Sequence, residues 1–187
     1  MPGYRDERIY PLKGPDLVRA RALAKGHLRS RKAVLYTTTS TIDVAQAQIL
    51  KENLKQIGLE VEVKSFPGNL FDKLAIRGEP FDIGRVRWFV NPNPAFLDLF
   101  DGRAIGQPGN QNWSYFNSPK FNRLLDKAAA LSRQARYRAY AELDVLLSKE
   151  LAPGIPVAIV NAPTFVSAKV GCIVLNPWLD LTAVCLK

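Results

Sequence analysis

Two arginines of like orientation stand in the run Phe81-Asp82-Ile83-Gly84-Arg85-Val86-Arg87-Trp88. The run is a strand candidate. Side chains alternate along a strand, so Arg85 and Arg87 share one face and Val86 and Trp88 the other. Both arginines fall at the C-terminal end, just before Asn91-Pro92-Asn93-Pro94, which cannot continue a central strand or a helix interior. Ligands of open α/β sheets bind outside the carboxyl ends of the strands. Two planar guanidinium forks placed there suit a carboxylate or another anion. Trp88 and Phe89 would add flat apolar surface, and Asn91 would open the turn. A second candidate wall is Asn112-Trp113-Ser114-Tyr115-Phe116-Asn117, where Trp113 and Tyr115 combine apolar area with a polar handle. Both segments also have plainer readings. Trp88 would be a core aromatic with the arginines paired to surface acids, and the loop aromatics would be anchors.

Other chemistries find little support. His27 is the only histidine, so a serine or cysteine nucleophile has one imidazole to draw on, and it lies in a basic terminal segment. No histidine pair, zinc cysteine spacing or calcium loop is present, and no glycine-rich phosphate loop. The neighbouring acids Asp98 with Asp101, and Glu142 with Asp144, read as turn or helix-surface residues. The expectation is a binding protein with no catalytic residues, no metal and no cofactor. Asn112-Trp113-Ser114 is formally a glycosylation sequon, a triplet common by chance.

Positioning these residues requires an α/β frame. Ala33–Thr38 is a short apolar, β-prone run. Ser40 and Asp43 have capping-box spacing before a helix with Ile42, Ala45, Ile49, Leu50, Leu54 and Ile57 on its apolar face. Gly58 closes that helix. Residues 59–64 alternate apolar and charged, which predicts a half-buried strand. Asn69–Arg77 predicts a short helix with Leu70, Phe71 and Leu74 inward. With the strand at 81–88 the order is strand, helix, strand, helix, strand, the pattern of a sheet with helices on its faces. Residues 101–117 form a long loop, and loops of that length in compact domains are functional or disordered. Ser118-Pro119 starts a further helix with cap and proline in place. Another carries Tyr137, Tyr140, Leu143, Leu147 and Leu151. The tail from Val157 alternates short apolar runs with breaks.

The 187 residues suffice for one well-cored domain. The net charge is +9, and nine basic residues against three acidic ones lie within the first 32. Such an excess on one segment reads as a solvated arm rather than the surface stripe of a nucleic-acid binder. No stretch approaches the ~20 apolar residues of a membrane span. The first residues lack the apolar core of a signal peptide, so either a cytosolic protein or part of a longer chain is expected. Cys172 and Cys185, the only cysteines, would be two thiols in the cytosol and could close a short loop in an exported protein.

Several motifs in order resemble the family 5 extracellular solute-binding proteins, the oligopeptide-, dipeptide- and nickel-binding receptors of ABC importers. They are Gly14-Pro15-Asp16-Leu17-Val18-Arg19-Ala20-Arg21-Ala22-Leu23, Ala47 to Glu62 with its Ile57-Gly58-Leu59, and Phe81 to Trp88 with Asn91-Pro92-Asn93-Pro94. Asn112 to Ala128 and Ile155-Pro156-Val157 complete the set. The resemblance spans about residues 10–170. It implies a periplasmic-binding-protein-like type II lobe, a mixed sheet flanked by helices, in a protein of two lobes that close on a ligand. Residues 1–187 would form one domain, the second lobe, with 1–14 as an extended arm. A tail from about 162 to 187 would cross back to a first lobe absent from this sequence. Implied partners are a small peptide-like or anionic solute, that first lobe and an ABC permease, and no nucleic acid. The implied address is extracytoplasmic, periplasmic or cell-surface, and it favours a Cys172–Cys185 disulfide. In peptide-binding members the strand ending at the tryptophan pairs with the peptide, and an aspartate three residues on holds its α-amino group. Here Arg85 and Trp88 match that motif, but the aspartate position is Asn91. An amide supplies no charge for an ammonium, so an acidic or neutral ligand is expected. The competing reading is a basic nucleic-acid-binding α/β domain using the arm and Arg133, Arg136 and Arg138.

Overall fold

A computed structural model describes residues 9, 14–88, 94–158, 163–174 and 180–187. The chain divides into two compact units, Met1–Gly154 and Ile155–Lys187.

The first unit begins with α1 (Leu17–Ala24), capped by the Asp16 carboxylate, which accepts from the Arg19 N–H. Then come β1 (Lys32–Thr38), α2 (Thr41–Lys55), β2 (Glu60–Phe66), α3 (Leu70–Ala75) and β3 (Ile83–Gly84). The three strands form a parallel sheet in the order β2-β1-β3. α2 covers one face, over Ala33, Leu35, Val61 and Ile83. α3 covers the other, where Leu70 and Leu74 pack on Tyr36, Val34 and Phe66. This is the α/β frame expected from the element order. β2 buries Val61 and exposes Glu60 and Glu62, as its alternation requires. Gly58 ends α2 with φ +89°, a conformation that disfavours any residue with a Cβ.

Four local expectations need correction. The strand foreseen over 81–88 pairs only at Ile83–Gly84, with Arg85 N–H still donating to the Tyr36 carbonyl at 2.8 Å. The ladder stops opposite Tyr36, although β1 itself runs on to Thr38 paired with β2, so the residues after Arg85 leave the sheet before its central strand ends. The capping box does not form: Ser40 caps α2 without a side-chain bond, and the Asp43 carboxylate faces elsewhere. The inward stripe of α2 is Asp43, Ala47, Leu50 and Leu54, at helical spacing, so Ile42 and Ile49 are exposed. Phe71 is not inward either; it is 41% exposed while Leu70 and Leu74 are buried.

A 3₁₀ segment at Pro94–Phe100 leads into α4 (Pro119–Ala129) and α5 (Arg133–Leu146). Leu97, Phe121, Leu125, Ala128, Tyr140, Leu143 and Leu147 form their core. Ser118 caps α4 as expected, accepting from the Phe121 N–H at 3.2 Å. The intervening loop is knitted by Asn112, which is 1% exposed. Its amide donates to the carbonyls of Asp101 and Phe116 and accepts from Ser114 Oγ and the Phe116 N–H. A nitrogen so held is no glycan acceptor. Gly102 sits tight against Asn117, where an added Cβ would come within 2.9 Å of the Asn117 Cα. Gly102→Ala is therefore expected to cost about 1–3 kcal/mol, read by urea denaturation.

In the second unit β4 (Val170–Cys172) pairs antiparallel with β5 (Cys185–Leu186), and Cys172 and Cys185 are bonded, with Cα atoms 5.0 Å apart. None of the described residues of this unit is buried. A two-stranded hairpin is by itself marginal in water, and the Cys172–Cys185 disulfide ties its two strands together. Closing a loop of this length is worth ~3 kcal/mol in the chain-entropy model. A reductant is expected to speed exchange of the Lys187 amide, which donates to the Lys169 carbonyl, by about 100-fold. Unchanged exchange would assign the hairpin's order to something else.

Candidate functional site

β1 lies between β2 and β3, so the chain leaves it to one side through α2 and returns past it through α3. The carboxyl ends of β1 and β3 thus flank a point where the strand order reverses, the place where open α/β sheets hold ligands. Three charged side chains meet there. Arg85 and Arg87 follow β3, and Asp43 comes from the first turn of α2. Asp43 Oδ1 is 2.5 Å from Arg85 Nη1 and 3.0 Å from Arg87 Nη2. Its other oxygen, Oδ2, accepts from Thr38 Oγ at 2.6 Å. Arg85 Nη2 donates to the Gln46 side-chain carbonyl. The two arginines share one face, as the alternation requires, although the strand itself has ended.

Their exposures differ. The Arg85 side chain is 6% exposed and the Arg87 side chain 36%. Arg85 is thus enclosed by protein, and Arg87 reaches solvent. The Nε atoms of both, and the hydroxyl of Thr37, are buried without a hydrogen-bond partner among the described residues. Buried donors so placed are uncommon in folded proteins. Burial works to raise the Asp43 carboxyl, but the Thr38 hydroxyl and the Arg85 and Arg87 guanidiniums outweigh it and hold it below the usual aspartate range. Position adds to this, since a carboxylate in a helix's first turn is favoured by the aligned peptide dipoles. The plainer reading of the arginines foresaw a surface acid. The acid present is buried.

Beyond Arg87 the aromatic residues assemble. Trp88 meets Trp113 edge-on at 5.2 Å between centroids, and Phe71 stacks on Trp113 at 4.9 Å. Trp113 also packs on the α3 side of the sheet with Val86. The two segments singled out from sequence are therefore brought together through their tryptophans. Tyr115 donates its hydroxyl to the Leu74 carbonyl at 3.2 Å and takes φ +52° to do so. A non-glycine residue there is strained, and the bond to α3 holds it. Phe89 and Asn91 lie outside the described residues.

Asp43, Gln46 and Phe71 are the participants that sequence reading passed over. One signal marked Asp43: it is the charged member of a helical stripe otherwise made of Ala47, Leu50 and Leu54. The basic cluster of the nucleic-acid reading is divided, since the Arg136 guanidinium lies 5.6 Å from the Tyr140 ring centroid while Arg133 and Arg138 are exposed. Among the described residues no group of three or more histidine, cysteine, aspartate or glutamate side chains is placed to hold a metal. No described helix is long and apolar enough to cross a membrane.

The fold is the periplasmic-binding-protein-like α/β fold of peptide- and nickel-binding receptors. The chain is similar to the clavulanic acid biosynthesis oligopeptide binding protein 2, with 24% identity and a TM-score of 0.85, covering 99% of this chain and 36% of that one. It is similar to the ABC transporter-associated periplasmic binding protein DppA from Helicobacter pylori, solved with the peptide STSA. There the identity is 26% and the TM-score 0.64, over 74% of this chain and 28% of that one. NikZ from Campylobacter jejuni, solved with Ni(L-His), matches at 18% identity and a TM-score of 0.56, over 72% and 30%. The chain thus spans about a third of the length of the structures it resembles. No family model and no curated protein matches it.

Proposed function

We propose that this chain is the ligand-binding second lobe of an extracytoplasmic substrate-binding protein that delivers a peptide-like or other small solute to an ABC importer. The observation that carries the proposal is the cluster at the strand-order reversal. A half-buried arginine held by a buried carboxylate immediately precedes Trp88, which meets Trp113, on a fold shared with solved peptide receptors. Arg87, Trp88 and Trp113 would face the ligand with Phe89 and Asn91 beside them. Arg85 and Tyr115, both committed to protein partners, would position that wall. The remaining two thirds of the matched structures would correspond here to a first lobe, which would supply the opposite wall, and the permease would dock on both.

The test is a titration of the two-lobed protein with a peptide library, read by tryptophan fluorescence. N-acetylated or acidic ligands are expected to bind at least as well as peptides with a free N-terminus, because Asn91 offers no charge to an ammonium. Tight binding of free-amine peptides alone would overturn the ligand class. Binding of duplex DNA with a steep salt dependence, and of no solute, would favour the nucleic-acid reading instead. Arg87→Ala is expected to weaken the binding of an anionic ligand by 2–5 kcal/mol, about 30-fold or more.

A further inference from the structure

We propose that Asp43 sets the charge class of the site: it leaves the arginine pair with one net positive charge, so the site takes a single monoanionic group, a carboxylate, at Arg87 and disfavours dianions. This deepens the solute-binding reading and rests on it.

The stoichiometry comes from the geometry. One carboxylate oxygen, Asp43 Oδ1, lies against both guanidinium groups, at 2.5 and 3.0 Å. The second oxygen is committed to Thr38. Two cations and one anion leave a charge of one. Arg85 is closed off by Asp43 and Gln46 and is 6% exposed, so it cannot present the surplus charge to a ligand. Arg87 can, being 36% exposed with one fixed bond from Nη2. A guanidinium carries five N–H donors in a planar fork, and a carboxylate matches two of them at once. The N-terminus of α2, a second source of positive potential here, is already answered by Asp43 in its first turn.

An incoming carboxylate therefore meets one unbalanced cation with its geometry preset by Asp43. An incoming phosphate dianion would bring twice the charge toward the same cation and the buried Asp43 carboxylate behind it. Removing the negative charge of Asp43 leaves two cations and reverses the preference. Asp43 is a positioning residue in this scheme, since it acts through Arg87 and does not touch the ligand.

The probes are acetate and inorganic phosphate at pH 8, where phosphate is mainly a dianion. The protein is the 187-residue chain, and the readout is the N–H resonances of Arg85 and Arg87 Nε. In the wild type acetate is expected to move the Arg87 resonance, with phosphate weaker. In Asp43→Asn phosphate is expected to gain about tenfold and to overtake acetate, moving both resonances. Arg87→Gln leaves a neutral Asp43–Arg85 pair, and it should respond to neither probe. That variant keeps the idea testable if Asp43→Asn folds poorly. A wild type that prefers phosphate, an Asp43→Asn protein with unchanged preference, or an Arg87→Gln protein whose Arg85 resonance moves with acetate would each overturn the proposal. These probes report on the cluster alone. A cluster that selects acetate in a protein that binds no solute would sink the transport reading and leave the charge assignment standing.

Discussion

Asp43→Ala is expected to destabilise the first unit by about 3–5 kcal/mol, the cost of removing one partner from a buried ion pair. The reason lies in what remains. Arg85 stays 6% exposed, with Gln46 as its other bonded partner, and Arg87 loses the carboxylate that orients it. Thr38 loses the acceptor of its hydroxyl. The loss should appear as a lower urea midpoint at unchanged slope. Attraction between these charges need not be a net gain over an apolar core, and a second variant separates the two questions. Asp43→Leu combined with Arg85→Met removes both buried charges and is expected to lose clearly less than Asp43→Ala alone. Equal losses would mean that the carboxylate matters for packing and not for charge.

The same carboxylate gives the chain an acid limb of definite sign. Burial tends to raise Asp43, and Thr38, Arg85 and Arg87 together bring it below its ordinary value. A folded value below the unfolded one, which is about 3.9, means the unfolded chain binds the proton more readily. The stability from Asp43 is then fully present above pH ~4 and is lost as the pH falls through the folded value. Other carboxylates shift in both directions; Asp144, for example, is raised by burial. The informative quantity is therefore the difference between the wild type and Asp43→Asn. That difference should shrink on acidification below pH ~4 and stay constant from pH 5 to 8.

What the sequence disclosed and what it withheld divide along physical lines. Periodicity reports on burial, so the order of strands and helices, the β2 alternation and the Ser118-Pro119 helix start were legible. The two segments carrying Trp88 and Trp113 were legible as aromatic-rich, and the fold brings them into contact. The partner of the arginines was not, because Asp43 stands 42 residues before Arg85 and its spacing from Ser40 imitates a capping box. A local pattern cannot tell a carboxylate that turns back to cap its own helix from one that reaches across to another strand. The length of β3 was hidden for a similar reason. Phe81–Trp88 alternates over eight residues, but only Ile83 and Gly84 pair with β1, and Arg85 and Arg87 turn instead to Asp43 of α2, a partner no local pattern reveals. Phe71 reads as core by composition. It is held half out of the core because Trp113 offers it a second aromatic face.

Leu74→Ala is expected to cost about 2–5 kcal/mol and to loosen the candidate ligand wall at the same time. Leu74 is fully buried in α3, and it packs with Tyr36 and Leu70 in the cluster that Val86 and Trp113 join. Its side chain also fills the space over β3: a Cβ on Gly84 would come within 3.2 Å of Leu74 Cδ2. Deleting the leucyl group opens a cavity beneath the strand that delivers Arg85 and Arg87 and beside the loop that delivers Trp113. The Leu74 carbonyl holds Tyr115, and alanine keeps that bond in principle, so any movement of the loop would come from lost packing. Phe121→Ala is the control, because Phe121 is equally buried but belongs to the α4–α5 core. Both variants should lower the urea midpoint. Only Leu74→Ala should shift tryptophan emission in the folded baseline, since Trp88 and Trp113 sit on its side of the unit. Equal emission changes in the two variants would show that the aromatic wall is supported by the whole unit and not by α3.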